Sequence, residues 1–302
     1  MHASVNFGDL LRPDFEKIFD DEYNQLASMR EALYGIVPSN GMDTMKWSGV
    51  GTLGDFEEFN GSIQYQEQSQ GYDTTMTPLE FANGIQVERR LFDTQQYQTF
   101  NQRPKALGAS AARTREKFAA RVLNKAWAAD AYFYNNTEGV ALCSDAHTTT
   151  SGASTANGFD NLTTAALTAV AVAAARIQMV GFRGDQAERI DVVPDELWYH
   201  QHNYEQAYEI IAASGKVDTA NWNPNVHEGK YKGHEWRYLT DDNDWFMSDS
   251  RVRKSMLHWQ DAVPLEFGMI EDFETLVAKF RAYMVFGYAW TDWRWILGAR
   301  VA

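Results

Sequence analysis

Residues Trp47 to Gly152 join three segments that few folds need side by side. A glycine-punctuated acidic stretch, Trp47 to Asn101, carries strand-like patterning. A cationic amphipathic stretch, Arg103 to Asp130, repeats apolar residues at helical spacing. Gly139-Val-Ala-Leu-Cys-Ser-Asp-Ala-His147 then follows and matches neither pattern. A two-stranded ribbon on its own is marginally stable in water, so an arm of this length needs a surface to lie on. A neighbouring copy of the chain is the natural source of that surface, and the pattern is that of a building block.

Composition agrees. With 302 residues, 44% hydrophobic and 23% charged, the chain suffices for one large or two ordinary domains with real cores. Aromatic residues make up 14%, including 10 Trp, and such side chains dominate buried contacts and interfaces. The net charge of −14 gives no long-range attraction to nucleic acid or anionic membrane. The single cysteine, Cys143, excludes an intrachain disulfide and suits a reducing compartment. Met1 to Leu11 lacks the pattern of a secretory signal, so the expected place of assembly is the cytoplasm. The span Leu276 to Leu297 is interrupted by Lys279, Arg281, Asp292 and Arg294 and cannot cross a bilayer.

Along the chain, residues 14 to 34 show near-helical apolar spacing, ended by Pro38-Ser-Asn-Gly41. Ser62 to Tyr65 and Ile85 to Phe92 are expected to be two hairpin legs, with Gln66 to Gly84 as a mobile tip. Leu107, Ala111, Arg115, Phe118, Val122 and Ala126 mark a long helix with Pro104 near its start. A second helix is expected over 161–180, with Leu162, Ala166, Ala169, Ala173, Ile177 and Val180 on one face and Gly181 closing it. Ile190 to Val193 reads as a buried strand running into a helix at Pro194. Short strands follow at Glu235 to Leu239 and Trp245 to Met247, and a long alternating strand runs from Leu276 to Tyr288.

In this order the residues resemble a family: the major capsid proteins of tailed phages, in the branch similar to the major head subunit of Mu-like prophages. The resemblance rests on Gly49 to Ile63, Ile85 to Asp93, a helix beginning near Leu107-Gly108, and Gly139 to His147 before Ser151-Gly152. It continues through Asn161-Leu-Thr163 ahead of an Ala-rich helix, Val193-Pro-Asp-Glu-Leu197, and Trp293-Arg-Trp-Ile-Leu-Gly298. It implies an α+β chain with the Hong Kong 97-type capsid fold. The corresponding parts are an N-terminal arm (1–46), an extended loop (47–101), a peripheral domain with a spine helix (102–150), an axial domain (151–260) and return strands of the peripheral domain (261–302).

The function implied is a virion shell of hexamers and pentamers enclosing double-stranded DNA, served by a separate scaffolding protein, a portal and decoration proteins, with no enzymatic activity, cofactor or membrane. An encapsulin-like compartment shares the fold and is the alternative; a cytoplasmic hydrolase is the more distant rival. Some relatives join their subunits by an isopeptide bond from an extended-loop lysine. Residues 47–101 contain no lysine, so no such crosslink is expected.

Other motifs are set against plainer readings. Gly49-x-Gly51-x-x-Gly54 mimics a dinucleotide fingerprint, but Asp55, Glu57 and Glu58 stand where phosphate would sit, and glycine freedom at the root of a moving arm is the preferred reading of these three hinge candidates. Cys143, Asp145 and His147 lack zinc-site spacing. His200 and His202, two apart on an expected helix, should point to different faces; His227 and His234 should lie on the surface; and Asp241-Asp-Asn-Asp244 should be a solvated turn. No catalytic or metal residue is assigned.

Charge segregation is the sharper signal. From Arg103 to Lys125 seven cations face one acid, and over 47–101 eight acids face two arginines. Arg113, Arg115, Lys117 and Arg121 are therefore expected to meet Glu57, Glu58 and Glu88 of a neighbouring arm.

Overall fold

The computed structural model describes residues 7–39, 41–63, 65–88, 97–215, 224–272, 274 and 277–302. The organising element is the alternating strand near the C-terminus. It runs from Val277 to Trp290 and buries every second residue from Ala278 to Tyr288, as period-two patterning requires. On one side it pairs antiparallel with Leu257–Asp272, and on the other with Leu79–Glu88. Gly35–Val37 adds a parallel edge at His258 to Gln260.

Numbered in chain order, the strands are β1 (Gly35–Val37), β2 (Met45–Val50), β3 (Gln70–Met76), β4 (Leu79–Glu88), β5 (Tyr134–Asn136), β6 (Leu162–Thr163), β7 (Glu196–Tyr199), β8 (Lys232–Glu235), β9 (Trp245–Ser248), β10 (Leu257–Asp272), β11 (Val277–Trp290) and β12 (Ile296–Ala299). The long sheet is thus β1-β10-β11-β4. Pro264 interrupts β10 where its register with β11 shifts, between Val263 and Glu266, a place where a missing N–H breaks no ladder bond.

Helix α1 (Phe7–Gln25) and the spine helix α3 (Tyr97–Asn124) lie together, with the short α2 (Arg30–Leu33) between them in sequence. The buried carboxylate of Glu116 on α3 accepts from Ser28 Oγ at 2.6 Å and from the Met29 N–H at 3.2 Å, so the spine helix holds the chain entering α2. The spine helix begins upstream of the expected start and ends at Asn124, short of Asp130, and Pro104 lies inside it.

The other lobe is a five-stranded sheet, β6-β12-β9-β7-β8, with α4 (Ala169–Val180), α5 (Tyr204–Ile211) and α6 (Ser250–Met256) around it. Four sequence expectations change here. The helix expected from Asn161 begins at Ala169, where Thr168 Oγ1 accepts from the Ala171 N–H, and Leu162-Thr163 instead pair with Gly298-Ala299. Its buried face is Ala171, Val172, Ala175 and Met179, while Ile177 and Val180 face outward; an Ala-rich helix offers two apolar stripes and periodicity cannot choose between them.

The strand expected at 190–193 lies after the proline, at Glu196–Tyr199, all four residues buried, and no helix starts at Pro194. A glutamate in a fully buried strand carries no sequence signal until its partner is known. The strand expected at 235–239 is Lys232–Glu235.

The hairpin expected from 62–65 and 85–92 is also replaced. The true legs are β2 and β3, in register from Met45↔Met76 to Val50↔Gln70, and β5 joins them as a third strand. The polar run Gln66 to Gly84 therefore contains strands, and β4 belongs to the long sheet; positions 89–92 fall outside the described residues. The root of the arm is seated on its own chain, with Thr74 buried and Trp47 stacked on His258 at 4.9 Å.

Two apolar clusters result. The larger joins both lobes and holds Trp198, Trp236, Trp245, Trp259, Trp290 and Trp295 almost wholly buried. Each such side chain contributes on the order of 2–3 kcal/mol through removal from water. The smaller gathers Phe15, Phe19, Val87, Leu107 and Phe280 beneath α1 at the other end of the long sheet. Among the described residues, no helix is long and apolar enough to cross a membrane.

Candidate assembly surface

Thr52 Oγ1 is the ribbon's last anchor on the body, accepting from the Asp185 N–H at 2.9 Å. The ribbon's ladder closes with the Gly51 N–H on the Ser69 carbonyl at 2.9 Å, and Gln68 Nε2 and Gln66 Oε1 reach across to Gly51 and Gly54. Past that point the described residues hold no strand until Gln70. The apolar side chains here face solvent: Phe56 is 103% exposed, Tyr65 90% and Phe59 72%, with Leu53 and Ile63 also exposed. Glu57 and Glu58 lie between them, equally exposed. Aromatic side chains held in water on a projecting loop are what a docking segment presents before it meets its partner.

Two of the three glycines at the root have a packing reason as well. A Cβ at Gly49 would lie 2.8 Å from the Tyr72 carbonyl oxygen, and one at Gly51 would lie 2.9 Å from the Ser69 carbonyl oxygen. Gly49 and Gly51 let the two backbones approach, whereas Gly54 has room.

The four cations of the spine helix separate into two pairs. Arg113 and Lys117 are exposed and carry no ion pair among the described residues. Arg115 is turned inward, donating to Asp261 and to Tyr23 Oη. Arg121 grips Asp130 with two hydrogen bonds of 2.7 and 2.8 Å and lies over the Tyr132 ring. Helical spacing puts six cations on one element but does not reveal which have acids of their own chain opposite. Glu88, at the end of β4, is exposed. Arg113 also lines a cleft of ≈ 680 Å³ between the α1–α2 joint, the spine helix and the segment after β8, with Arg30, Arg237 and Glu235.

Beneath this surface a buried ion pair ties the lobes together. Arg253 is fully buried and donates to Glu196 through Nε and Nη2 at 2.7–3.0 Å, while its Nη1 donates to the Leu33 carbonyl at the end of α2. Ser248 Oγ donates to the same carboxylate at 3.0 Å. Burial pushes the Glu196 carboxyl up, but His234, Arg253 and Ser248 outweigh it and hold it below the ordinary carboxylate range. His234 stacks on Trp198 at 4.0 Å and, like His227, is buried, contrary to the surface position expected. Both sit among aromatic rings, a setting that a histidine in a polar sequence stretch does not advertise.

The Cys143–His147 segment does not assemble a reactive set. The Cys143 thiol is buried against Trp127 and Gly298, and burial drives its pKa far up, away from the thiolate. His147 is engaged with the buried Glu138 carboxylate at 3.0 Å and stacks on Trp293 at 4.2 Å, and Asp145 faces solvent. His200 and His202, expected on opposite faces, converge on Asp242 because they flank a bend instead of sharing a helix. Asp244 of the expected solvated turn is buried, accepting from Trp127 Nε1 and the Val301 N–H at 2.9 Å each.

Comparison with known proteins places this geometry. The profile of a family described as phage capsid protein matches residues 71–299. No curated protein sequence matches the chain. Among solved structures, the chain is similar to the procapsid of bacteriophage JBD30, with 13% identity, a TM-score of 0.55, and coverage of 98% of this chain and 76% of that one. The capsid of cyanophage P-SCSP1u aligns at 12% identity and a TM-score of 0.58, over 91% of this chain and 88% of that one. A virus-like particle from Pyrococcus furiosus aligns at 8% identity and a TM-score of 0.55, over 94% and 97%.

Proposed function

Since this chain belongs to the phage capsid protein family, and is a shell protein with the Hong Kong 97-type fold, we propose that it is the major head subunit of a tailed phage of the Mu-like branch. Copies assemble as hexamers and pentamers into an icosahedral virion shell around double-stranded DNA. Assembly takes place in the host cytoplasm, with a separate scaffolding protein and a portal as partners. On this reading residues 1–46 are the N-terminal arm, 47–101 the extended loop, 102–150 and 261–302 the peripheral domain, and 151–260 the axial domain.

The observation that carries the reading is the solvent-facing row Leu53, Phe56, Phe59, Ile63 and Tyr65 on a loop whose root is rigidly laddered. A firm root and an apolar tip suit a segment that lies across an adjacent subunit. Burying the row would remove most of that apolar area from water at about 25 cal/mol per Å². Glu57 and Glu58 on the tip and Glu88 behind it would meet Arg113 and Lys117 on the neighbour, adding register more than affinity. Arg115 and Arg121 support the spine from within their own subunit. Of the three hinge candidates, Gly54 would let the tip swing during maturation, about a root that Gly49 and Gly51 keep paired.

The role is geometric and not catalytic, consistent with the buried, protonated Cys143 thiol. An encapsulin-like compartment is the alternative on the same fold; membership of the phage capsid protein family favours the head. Electron microscopy of the purified full chain over a range of salt concentrations tests the proposal. Uniform closed shells, or hexamer and pentamer rings, are expected. A small oligomer that never forms them under any condition overturns it.

A further inference from the structure

A cluster in the smaller-sheet lobe points to chemistry that shell formation does not require. β7 ends at Tyr199, and His200 turns the chain into a single 3-10 turn, Gln201 to Asn203. Across this bend the rings of His200 and His202 come to 5.1 Å between centroids at 71°. Both present Nδ1 to one carboxylate: His200 Nδ1 lies 3.1 Å from Asp242 Oδ1, and His202 Nδ1 lies 3.0 Å from Asp242 Oδ2. One ligand atom from each residue lies within 4.8 Å of the others.

The three groups are held from behind. Asn203 Nδ2 donates to the carbonyls of Asp242 and Asn243 at 3.2 Å each, tying the 240–244 loop to the turn that carries both histidines. Asp241 Oδ1 accepts from the N–H of Asn243 at 2.9 Å and of Asp244 at 3.3 Å, which fixes the loop's shape. The Asp244 carboxylate anchors the loop's far end on Trp127 and Val301. Exposure is graded. The His200 side chain is 7% exposed, whereas His202 is 61% and Asp242 51% exposed, so one ligand is fixed in the protein and two can adjust.

We propose that His200, His202 and Asp242 form a binding site for a borderline divalent transition-metal ion, with zinc as the best match. Two imidazoles and one carboxylate are a donor set that suits such ions and not Mg²⁺ or Ca²⁺, which take oxygen ligands. Zinc holds nitrogen at about 2.0–2.1 Å, so tetrahedral ligands stand roughly 3.3–3.5 Å apart. Small rotations of the exposed His202 and Asp242 side chains reach that spacing. The ion takes the place of the contacts that the two Nδ1 atoms make with Asp242, and His200 Nδ1 also gives up the His202 N–H, which it accepts at 3.4 Å. Each neutral imidazole gives its Nδ1 lone pair and carries its proton on Nε2, so binding to neutral histidines releases no proton. Three protein ligands leave a fourth position to water. The ion would fasten the end of β7 to the loop before β9. This site does not depend on the shell reading, since every ligand comes from one chain.

The test uses the untagged full chain, titrated with Co²⁺ at pH 7.5 while the visible d–d absorption is followed, then with Zn²⁺ by equilibrium dialysis and elemental analysis. One saturable ion per chain is expected, with Zn²⁺ displacing Co²⁺. His202→Asn and Asp242→Asn change exposed side chains, so folding should survive; each should weaken binding about 100-fold, and Asn203→Ala about 10-fold. Absence of saturable binding at one ion per chain overturns the proposal. Binding of undiminished affinity in both His202→Asn and Asp242→Asn overturns it equally.

Discussion

In the lobe around β7 and β9, side chains as polar as Arg253 and Glu196 are hidden from water, whereas on residues 51–69 side chains as apolar as Phe56 and Phe59 are largely exposed to it. The inversion follows from where each group finds its partner. Each guanidinium nitrogen of Arg253 reaches an acceptor of its own chain, Nε and Nη2 on Glu196 and Nη1 on Leu33. Among the described residues, the tip's rings find no such cover within the subunit. A monomeric fold selects for the first arrangement; only an assembling one tolerates the second.

The contrast can be broken most forcefully at Arg253. Replacing it by Met leaves the Glu196 carboxylate buried without its counter-ion, and urea unfolding of the dissociated subunit should show a loss of about 3–5 kcal/mol. Adding Glu196→Leu to Arg253→Met should recover much of that loss; a double variant no better than the single one would mean that packing, not the stranded charge, is at fault.

The tip should behave in the opposite way. Phe56→Ser with Phe59→Ser should leave subunit stability within about 0.5 kcal/mol of the parent, yet abolish closed shells in electron micrographs.

Acid separates the regions by another route. Burial lowers the His258 pKa below its ordinary value of 6.5, so the folded subunit resists a proton that the unfolded chain accepts. Stability is therefore lost as pH falls below about 6.5. Glu196 has a lowered folded pKa, so its contribution is complete above the ordinary value of 4.5 and disappears as pH falls through the folded one. Unfolding midpoints measured from pH 7 to 5 should decline, and less so in His258→Phe, which keeps a ring against Trp47.

The smallest effect belongs to charge. Arg113→Glu with Lys117→Glu should shift the salt range of assembly, because each exposed pair contributes at most about 1 kcal/mol. Unaltered assembly at low salt would remove these two residues from the interface. Denaturing electrophoresis of mature shells should show a single monomer band, since residues 47–101 contain no lysine; a covalent ladder would contradict this.

The sequence revealed much of the frame and little of its fine pairing. β11 was legible because Ala278 to Tyr288 alternate without a break, and the spine helix because Leu107, Ala111 and Val122 recur at helical spacing. β3 was not, since Gln-Gly-Tyr-Asp-Thr-Thr-Met lacks an apolar face and becomes a strand by lying between two others. β7 was missed because Glu196 looks like a helix-start acid until Arg253, 57 positions later, is placed beside it. The division of the cationic helix into exposed Arg113 and Lys117 and paired Arg115 and Arg121 depends on Asp261 and Asp130, contacts that spacing along one element cannot encode.

β11 has a mechanical meaning apart from its place in the core. Fourteen residues at about 3.3 Å each make a strut of roughly 46 Å. It is paired to β4 from Val277 to Phe286 and to β10 from Val277 to Trp290, and β3 leads directly into β4. A pull on the ribbon therefore reaches β4 along its axis and loads its hydrogen bonds to β11 in shear, many at once, instead of unzipping them in turn. The subunit can carry tension from its projecting loop into its Trp-lined interior without any single bond taking the load.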